Sequence, residues 1–189
     1  FSPEAIFRVA QAISKEARAF WNENLKKKKY YTFYGLNCLS PTLDLMRHPL
    51  WARNQEPFGE DPYLSGALAA KYVAGIQGMD QHYVRVAATC RHFAVHGGPE
   101  FKSDSFDAKV SQRDLYMSYL PNFKMCVAAG AMGLMCAKNK VNGVPSCANE
   151  KLLRGLARNT WNFKGFIMSD SLAIQNLQGA HKYTTSAKE

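Results

Sequence analysis

Residues 84–99 read VRVAATCRHFAVHGGP, and this stretch decides how the chain folds. Its first ten residues are apolar and β-prone, which is typical of a buried strand. The sequence His96-Gly97-Gly98-Pro99 ends that strand, because glycine and proline favour turns. Helical patterns flank the strand on both sides, so it belongs to an alternating order of helices and strands.

The rest of the chain repeats this alternation. The patterns predict, in chain order, a helix from Ser2-Pro3-Glu4 to near Asn24, extended runs at 30–36 and 40–45, a polar loop at 47–60, a helix from Asp61-Pro62 to Gly78, the strand at 84–93, a helix from Ser111 to Gly130 kinked at Pro121, a strand at 131–137, a helix opening at Asn149-Glu150, a strand at 165–168 and a last helical stretch. Such alternation implies parallel βαβ units, whose chemistry gathers at the carboxyl ends of the strands. These ends carry His92, Lys138 and Asp170, with a nearby loop that carries Arg53 and Glu56.

Composition excludes several classes of protein. The 189 residues are 47% hydrophobic and 21% charged, which fits a globular core and neither a disordered chain nor a charged coiled coil. No apolar run approaches the roughly 20 residues of a membrane helix, so no membrane partner is predicted. The net charge is +9, but its one dense run, Lys26 to Lys29, is predicted to be a solvated loop. No stripe of basic and aromatic residues favours nucleic acid.

Five cysteines are spread along the chain without a C-x-x-C pair, so no structural zinc site is predicted. Cys136 and Cys147 flank the turn signal Asn142-Gly143 and can meet in a disulfide if the chain folds back there. The odd number of cysteines leaves at least one free thiol. The redox compartment is suggested by this pattern and not fixed by it.

The candidate site residues each allow two interpretations. Asp170 is either a nucleophile or general base, or the cap of the helical segment after it. His92, with Arg91, either holds a sugar hydroxyl or an anion, or is a core histidine satisfied by a backbone carbonyl. Arg53, with an acid nearby, belongs either to the site or to a surface ion pair. No helix supports the spacing of His92 and His96, so metal binding is not expected.

Four segments resemble, in order and separation, the signatures of family 3 glycoside hydrolases. WARNQEPFGEDP at 51–62 resembles W-G-R-x-x-E-x-x-G-E-D-P, and RHF at 91–93 resembles K-H-F. MCAKNKVNGVPSC at 135–147 resembles M-x-S-Y-N-x-V-N-G, and GFIMSD at 165–170 resembles G-F-x-x-S-D. The resemblance covers nearly the whole chain. Its C-terminal part, with VNGVPSC and later HKYTT, is most similar to the β-xylosidase branch.

The resemblance implies a TIM-type (β/α)8 barrel and a retaining, exo-acting β-glycosidase that hydrolyses O-glycosidic bonds at the nonreducing ends of oligosaccharides, outside cells. Asp170 matches the nucleophile of the family. Arg53, Arg91 and His92 match positions that bind hydroxyls of the terminal sugar, and Lys138 stands at a further substrate-binding position. The resemblance implies no metal and no organic cofactor.

The chain departs from the family pattern at several positions. Arg91 replaces the usual lysine, Ala52 replaces a glycine and His48 replaces an aspartate. Lys138 stands where the family usually has tyrosine beside the nucleophile. An ion pair between Lys138 and Asp170 would lower the pKa of the aspartate and make it a poorer nucleophile. This departure motivates an alternative, a catalytically inactive sugar-binding protein of the same fold.

The length of the chain predicts an incomplete barrel. A complete barrel of this type needs about 250 residues and eight strands, and the pattern contains four clear strands. We therefore expect residues 1–189 to form a partial N-terminal barrel domain. The acid/base residue of the family comes from a later domain, expected to be absent here, and the match makes Glu56 and Glu60 structural. The isolated chain is accordingly expected to show little turnover.

Overall fold

The structure is a computed structural model that describes residues 2–80 and 82–186. Its strands, in chain order, are β1 (Asn37–Cys38), β2 (Ala87–Phe93), β3 (Asp107–Ala108), β4 (Gly133–Cys136), β5 (Lys140–Val141), β6 (Val144–Pro145) and β7 (Phe166–Ser169). Its α-helices are α1 (Pro3–Lys26), α2 (Pro62–Gln77), α3 (Gln112–Asp114), α4 (Pro121–Ala128) and α5 (Gln175–Gln178). The 3-10 helices Glu100–Lys102 and Ser146–Ala148 and the π-helices Leu115–Tyr119 and Lys151–Thr160 complete the described elements.

Strands β1, β2, β4 and β7 form one parallel sheet, in which they lie side by side in chain order. A helix lies in each connection between neighbouring strands: α2 before β2, α4 before β4 and the π-helix Lys151–Thr160 before β7. This arrangement confirms the predicted alternation. It also brings the carboxyl ends of the four strands to one edge of the sheet.

Helices α1 and α2 begin at the residues that the sequence predicts, because each has a side-chain cap. The hydroxyl oxygen of Ser2 accepts from the N–H of Ala5 at 3.2 Å, and Oδ1 of Asp61 accepts from the N–H of Leu64 at 2.6 Å. Helix α2 ends at Gly78, whose φ of 86° suits a glycine. Helix α1 runs to Lys26, slightly beyond the predicted end.

The single kinked helix predicted for 111–130 is divided into α3, a π-helical turn and α4. The division falls at Pro121, which has no N–H to donate to the preceding turn. The N–H of Leu120 donates to the carbonyl of Leu115 at 3.1 Å, five residues back, as in a π-helix. The kink is therefore confirmed. The helix predicted after Asn149 is likewise a π-helix, at Lys151–Thr160.

The prediction for the first strand was wrong in position. Residues 30–36 form no strand, and β1 is confined to Asn37–Cys38. The run from Ser40 to Leu45 contributes only a bridge between Thr42 and Arg91. Pro41 accepts a hydrogen bond from the N–H of Arg91 at 3.1 Å but has no N–H to return, so the ladder is broken there.

A small second sheet of β3, β5 and β6 is formed by the segments that follow β2 and β4 and was not predicted. Strands β5 and β6 form an antiparallel hairpin around Asn142 and Gly143, whose φ values are 50° and 89°. Positive φ at both positions is typical of a two-residue hairpin turn. The turn signal read from the sequence is confirmed.

Two disulfides occur in the structure. Cys136 is bonded to Cys147 across the hairpin, as the sequence suggested. Cys90 of β2 is bonded to Cys126 of α4, a pair that was not predicted. Cys38 remains as the free thiol among the described cysteines.

The core lies between the sheet and the helices that cover it. Strand β4 is buried at each of its residues, and the ring of Phe93 at the end of β2 contacts Phe123 and Trp161, with centroid distances of 5.2 and 5.7 Å. In the part of the chain that the structure describes, we find no helix with the length and apolarity needed to cross a bilayer.

Candidate functional site

The three predicted strand-end residues share the carboxyl edge of the main sheet. His92 lies in β2, Lys138 follows β4 and Asp170 directly follows β7. The N–H of Asp170 donates to the carbonyl of Cys136 at 3.1 Å, which continues the pairing of β4 with β7. Nε2 of His92 lies 3.8 Å from Oδ2 of Asp170. The structure therefore places the predicted residues His92 and Asp170 close together.

His92 is held by a buried carboxylate and not by the backbone carbonyl that the sequence left open. Its Nδ1 lies 2.7 Å from Oδ2 of Asp44, and its backbone N–H donates to Oδ1 of Asp44 at 3.2 Å. The two side chains are 0% and 1% exposed. A carboxylate only accepts, so Nδ1 carries a proton.

The other ring nitrogen of His92 faces two guanidinium groups. Its Nε2 lies 3.4 Å from Nη2 of Arg53 and 3.3 Å from Nη1 of Arg91. Arginine only donates, so in these two contacts Nε2 of His92 is the acceptor. The Asp44 carboxylate thus sets the tautomer, as in other buried carboxylate–histidine pairs.

The sequence pattern does not single out Asp44, which lies within the extended run 40–45. The signal was present: a carboxylate between Leu43 and Leu45, both 1% exposed in the structure. Burying a charged group costs free energy unless a hydrogen-bonding or oppositely charged partner is buried with it, so a carboxylate in an apolar run indicates such a partner.

Arg53, Arg91 and Glu56 form an ion-pair cluster beside His92. Nε and Nη2 of Arg53 donate to the two carboxylate oxygens of Glu56 at 2.6 and 2.9 Å, and Nη2 of Arg91 donates to Oε2 of Glu56 at 3.1 Å. The bond from Arg53 holds the pKa of Glu56 below its usual range, and the same bond raises the pKa of Arg53. Arg53 therefore makes the predicted ion pair and also contacts the site.

Asp170 does not cap the helix that follows it. That helix, α5, begins at Gln175, so the capping interpretation was wrong. Oδ1 of Asp170 accepts from the N–H of Ser171 at 2.7 Å. Its Oδ2 is buried, and within residues 2–80 and 82–186 it has no hydrogen-bond partner. The carboxylate therefore presents one oriented oxygen and one uncommitted oxygen.

Lys138 does not pair with Asp170, which corrects the concern raised by the sequence. Its Nζ lies 3.5 Å from Oδ1 of Asp104, and this is its ion pair in the described part of the chain. Its backbone carbonyl accepts from Nε2 of His181 at 2.7 Å. The ammonium is directed by a partner from another loop, which no local pattern indicates.

His96 and Asn139 lie beside His92, whose ring centroid is 4.6 Å from that of His96. Nδ1 of His96 lies 3.3 Å from Oδ1 of Asn139, whose Nδ2 donates to the carbonyls of Ala94, Val95 and Lys140 at 3.3, 3.2 and 3.0 Å. Both side chains are buried, and burial lowers the pKa of His96. This buried amide ties the end of β2 to the end of β4.

Asp44, His92 and His96 have ligand-type atoms within 4.8 Å of one another. The donor set by itself suits a divalent cation. However, Nη1 of Arg53 lies 3.4 Å from Nε2 of His96, and its Nη2 lies at the same distance from Nε2 of His92. A cation at this position would meet a guanidinium, so the cluster suits a hydrogen-bonding role better than metal ligation.

Comparison with known proteins identifies the architecture. The model of the glycosyl hydrolase family 3 N terminal domain matches residues 32–189. A solved GH3 exo-beta-xylosidase (XlnD), in complex with a xylobiose aziridine activity based probe, is 30% identical, has a TM-score of 0.90, and the match covers 98% of this chain and 24% of that one. A beta-glucosidase from Listeria innocua is 31% identical with a TM-score of 0.83, covering 100% and 25%.

Curated relatives agree with this likeness. "Probable beta-D-xylosidase 7" of Arabidopsis thaliana is 38% identical over 97% of this chain and 24% of its own length. "Exo-1,4-beta-xylosidase bxlB" of Emericella nidulans is 38% identical over 100% of this chain and 25% of its own length. The chain therefore spans about a quarter of the length of the curated relatives it matches.

These likenesses confirm the expected (β/α)8-type fold, to which the parallel strands β1, β2, β4 and β7 belong. The four motifs read from the sequence fall within the matched residues. The chain belongs to glycosyl hydrolase family 3, and its residues 32–189 match the N-terminal domain of that family.

Proposed function

We propose that this chain is the nucleophile-bearing segment of a retaining exo-β-glycosidase of the β-xylosidase type, with Asp170 as the nucleophile. The observation that carries the proposal is the uncommitted, buried Oδ2 of Asp170 at the carboxyl edge of the sheet, 3.8 Å from Nε2 of His92. The names of the xylosidase relatives, which align over nearly the whole chain, support this sugar preference.

The proposed reaction proceeds in two balanced steps. A carboxylate oxygen of Asp170 forms a bond to the anomeric carbon while the bond from that carbon to the leaving oxygen breaks, and an acid protonates the leaving oxygen. Water then attacks the same carbon, gives its proton to the conjugate base of that acid, and releases the carboxylate of Asp170. Retaining enzymes need the two carboxyl groups about 5 Å apart. We propose that the acid comes from a further, C-terminal domain.

Four cations or donors are proposed to bind hydroxyls of the terminal sugar: Arg53, Arg91, His92 and Lys138. Glu56 orients both arginines through three bonds of 2.6 to 3.1 Å, and this fixes their donors before a sugar arrives. Charge-assisted bonds to sugar hydroxyls can strengthen as the oxocarbenium-like transition state forms. The substrate class is an oligosaccharide of the plant type.

The two disulfides support a proposed extracellular location, since such bonds persist in oxidising compartments. The alternative function, a sugar-binding protein without turnover, is motivated by Lys138 in place of the usual tyrosine. The contact of Lys138 with Asp104 favours the enzyme, because the ammonium does not neutralise Asp170 in this arrangement.

A mechanism-based 2-fluoro xyloside tests the proposal. The reagent forms a stable glycosyl-enzyme, so intact mass and peptide mapping of the full-length protein should find one sugar on Asp170. Asp170→Asn should abolish the label, and Glu4→Gln, on the exposed face of α1, should retain it. A wild-type protein that binds xylo-oligosaccharides but never acquires the label is the sugar-binding alternative. The 189-residue chain alone is expected to hydrolyse aryl xylosides little or not at all.

A further inference from the structure

Lys138 and Asp170 leave neighbouring strands at the same edge of the sheet. Strands β4 and β7 pair in register, with Cys136 opposite Ser169. A lysine ammonium in this place is an obvious counter-ion for an aspartate whose Oδ2 has no hydrogen-bond partner in the described residues. The structure nevertheless gives the ammonium a different partner.

That partner is Asp104, which follows the 3-10 helix Glu100–Lys102. Its Oδ1 lies 3.5 Å from Nζ of Lys138 and also accepts from Nδ2 of Asn176 at 3.0 Å. Asn176 is buried in α5. A second, neutral donor on the same oxygen fixes the direction of the carboxylate, so Asp104 is held in place even though its side chain is half exposed.

The backbone of Lys138 is held by the segment that also holds Asp104. Nε2 of His181 donates to the carbonyl of Lys138 at 2.7 Å, and Nζ of Lys140 donates to the carbonyl of His181 at 3.1 Å. The N–H of His181 in turn donates to the carbonyl of Asn176 at 2.8 Å. One network therefore fixes both ends of the lysine, its ammonium through Asp104 and its backbone through His181.

We infer that Asp104 is a positioning residue that draws the ammonium of Lys138 away from Asp170 and so keeps the carboxylate of Asp170 available as nucleophile. This inference rests on the proposed function. An ammonium in contact with Asp170 would compete with the anomeric carbon for the attacking oxygen. In this chain Asp104 makes a lysine compatible with the chemistry at a position where the resemblance leads one to expect a tyrosine.

The charged and titratable groups around the two side chains come from four segments. Around Asp170 lie His92 and, through it, Arg53 and Arg91. Around Lys138 lie Asp104 and His181. A change of the charge at Asp104 alters the balance of this set without touching Asp170 directly.

The test compares three variants of the full-length protein: Asp104→Asn, Asp104→Asn combined with Lys138→Met, and Glu4→Gln as a charge-matched control on α1. Asparagine keeps an acceptor for Asn176, so the loop stays anchored. We expect Asp104→Asn to slow 2-fluoro xyloside labelling of Asp170 at least about tenfold and to move the acidic limb of the kcat/KM profile to lower pH. The double variant should label faster than Asp104→Asn, because it lacks the competing ammonium, and more slowly than the wild type, because it also lacks the proposed sugar contact of Lys138. The control should match the wild type.

A crystal structure of Asp104→Asn provides a readout that does not depend on activity. Lys138 Nζ within 4 Å of the carboxylate of Asp170 supports the inference, whereas an unmoved lysine overturns it. If the wild type and Asp104→Asn label Asp170 at the same rate and with the same pH profile, the inference about Asp104 is overturned. The proposed function then still stands, because the wild type is labelled. A wild type that never labels Asp170 overturns the proposed function, and the lysine position in the crystal still decides the role of Asp104.

Discussion

Replacing Asp44 should both destabilise the fold and disturb the ring of His92. Asp44 accepts two hydrogen bonds from His92, at 2.7 and 3.2 Å, and both side chains are buried. Asp44→Ala leaves two buried donors unpaired at about 1–3 kcal/mol each, which gives about 2–6 kcal/mol. Asp44→Asn keeps one acceptor and loses one charge-assisted bond, at about 1.5–3 kcal/mol.

The asparagine variant also has a chemical consequence. Its amide group can turn an N–H toward Nδ1 of His92, which moves the ring proton to Nε2. The new Nε2–H of the His92 ring would then point at the guanidinium donors of Arg53 and Arg91, which lie 3.4 and 3.3 Å from Nε2. We therefore expect loss of sugar binding beyond the loss of stability.

Thermal unfolding and 15N NMR of the histidine rings measure these two effects. At about 2–4 °C per kcal/mol for a chain of this size, Asp44→Asn should lower the Tm by about 3–12 °C and Asp44→Ala by more. Asp80→Ala is the control, since Asp80 is exposed and accepts from the backbone N–H groups of His82 and Tyr83. If Asp44→Ala unfolds at the same temperature as Asp80→Ala, the buried carboxylate does not hold His92 as described.

Two further predictions concern stability. Glu56→Gln should destabilise the protein at neutral pH: Arg53 depresses the pKa of Glu56, so the contribution is present above its unfolded pKa and is lost as pH falls through the folded pKa. Unfolding curves of variant and wild type should therefore converge in acid, and a constant difference across pH would contradict this account. The pair Cys90→Ala and Cys126→Ala removes a disulfide that spans 36 residues, for an expected loss of about 4 kcal/mol in the chain-entropy model, measured by urea unfolding; a non-reducing digest without the linked peptides would refute the pairing itself.

Most of the helix boundaries could be predicted from short stretches of sequence. Ser2 and Asp61 cap helices directly, and Gly78 ends one, so these boundaries follow from short-range chemistry. The π-helical turns were missed because a change from four to five residues in hydrogen-bond spacing barely alters an apolar stripe over one or two turns. The disulfide between Cys90 and Cys126 depends on how α4 packs on β2, which no spacing in the sequence encodes.

The residues of the candidate site also fall into those that the sequence pattern predicts and those that it does not. His92 and Asp170 were found because parallel strands end at one edge, whatever the loops do. Asp44 was not predicted because it lies inside an apolar run. Asp104 was not predicted because its contact with Lys138 joins loops that are 34 residues apart in sequence. Side chains on regular elements follow from the pattern, whereas partners supplied by irregular segments need the fold.

The buried amide of Asn139 has a consequence for how this site can change over evolutionary time. Its Nδ2 donates to the carbonyls of Ala94, Val95 and Lys140, and the N–H of Ala137 donates to the carbonyl of Phe93 at 2.8 Å. The backbone on both sides of position 138 is therefore held by groups other than the side chain at 138. A lysine or a tyrosine can therefore stand at position 138 without moving the strand ends, although the lysine also needs its partner Asp104. Asn139 holds the backbone and position 138 carries the neighbouring side chain, so a change at 138 alters the charge of the site while its backbone stays in place.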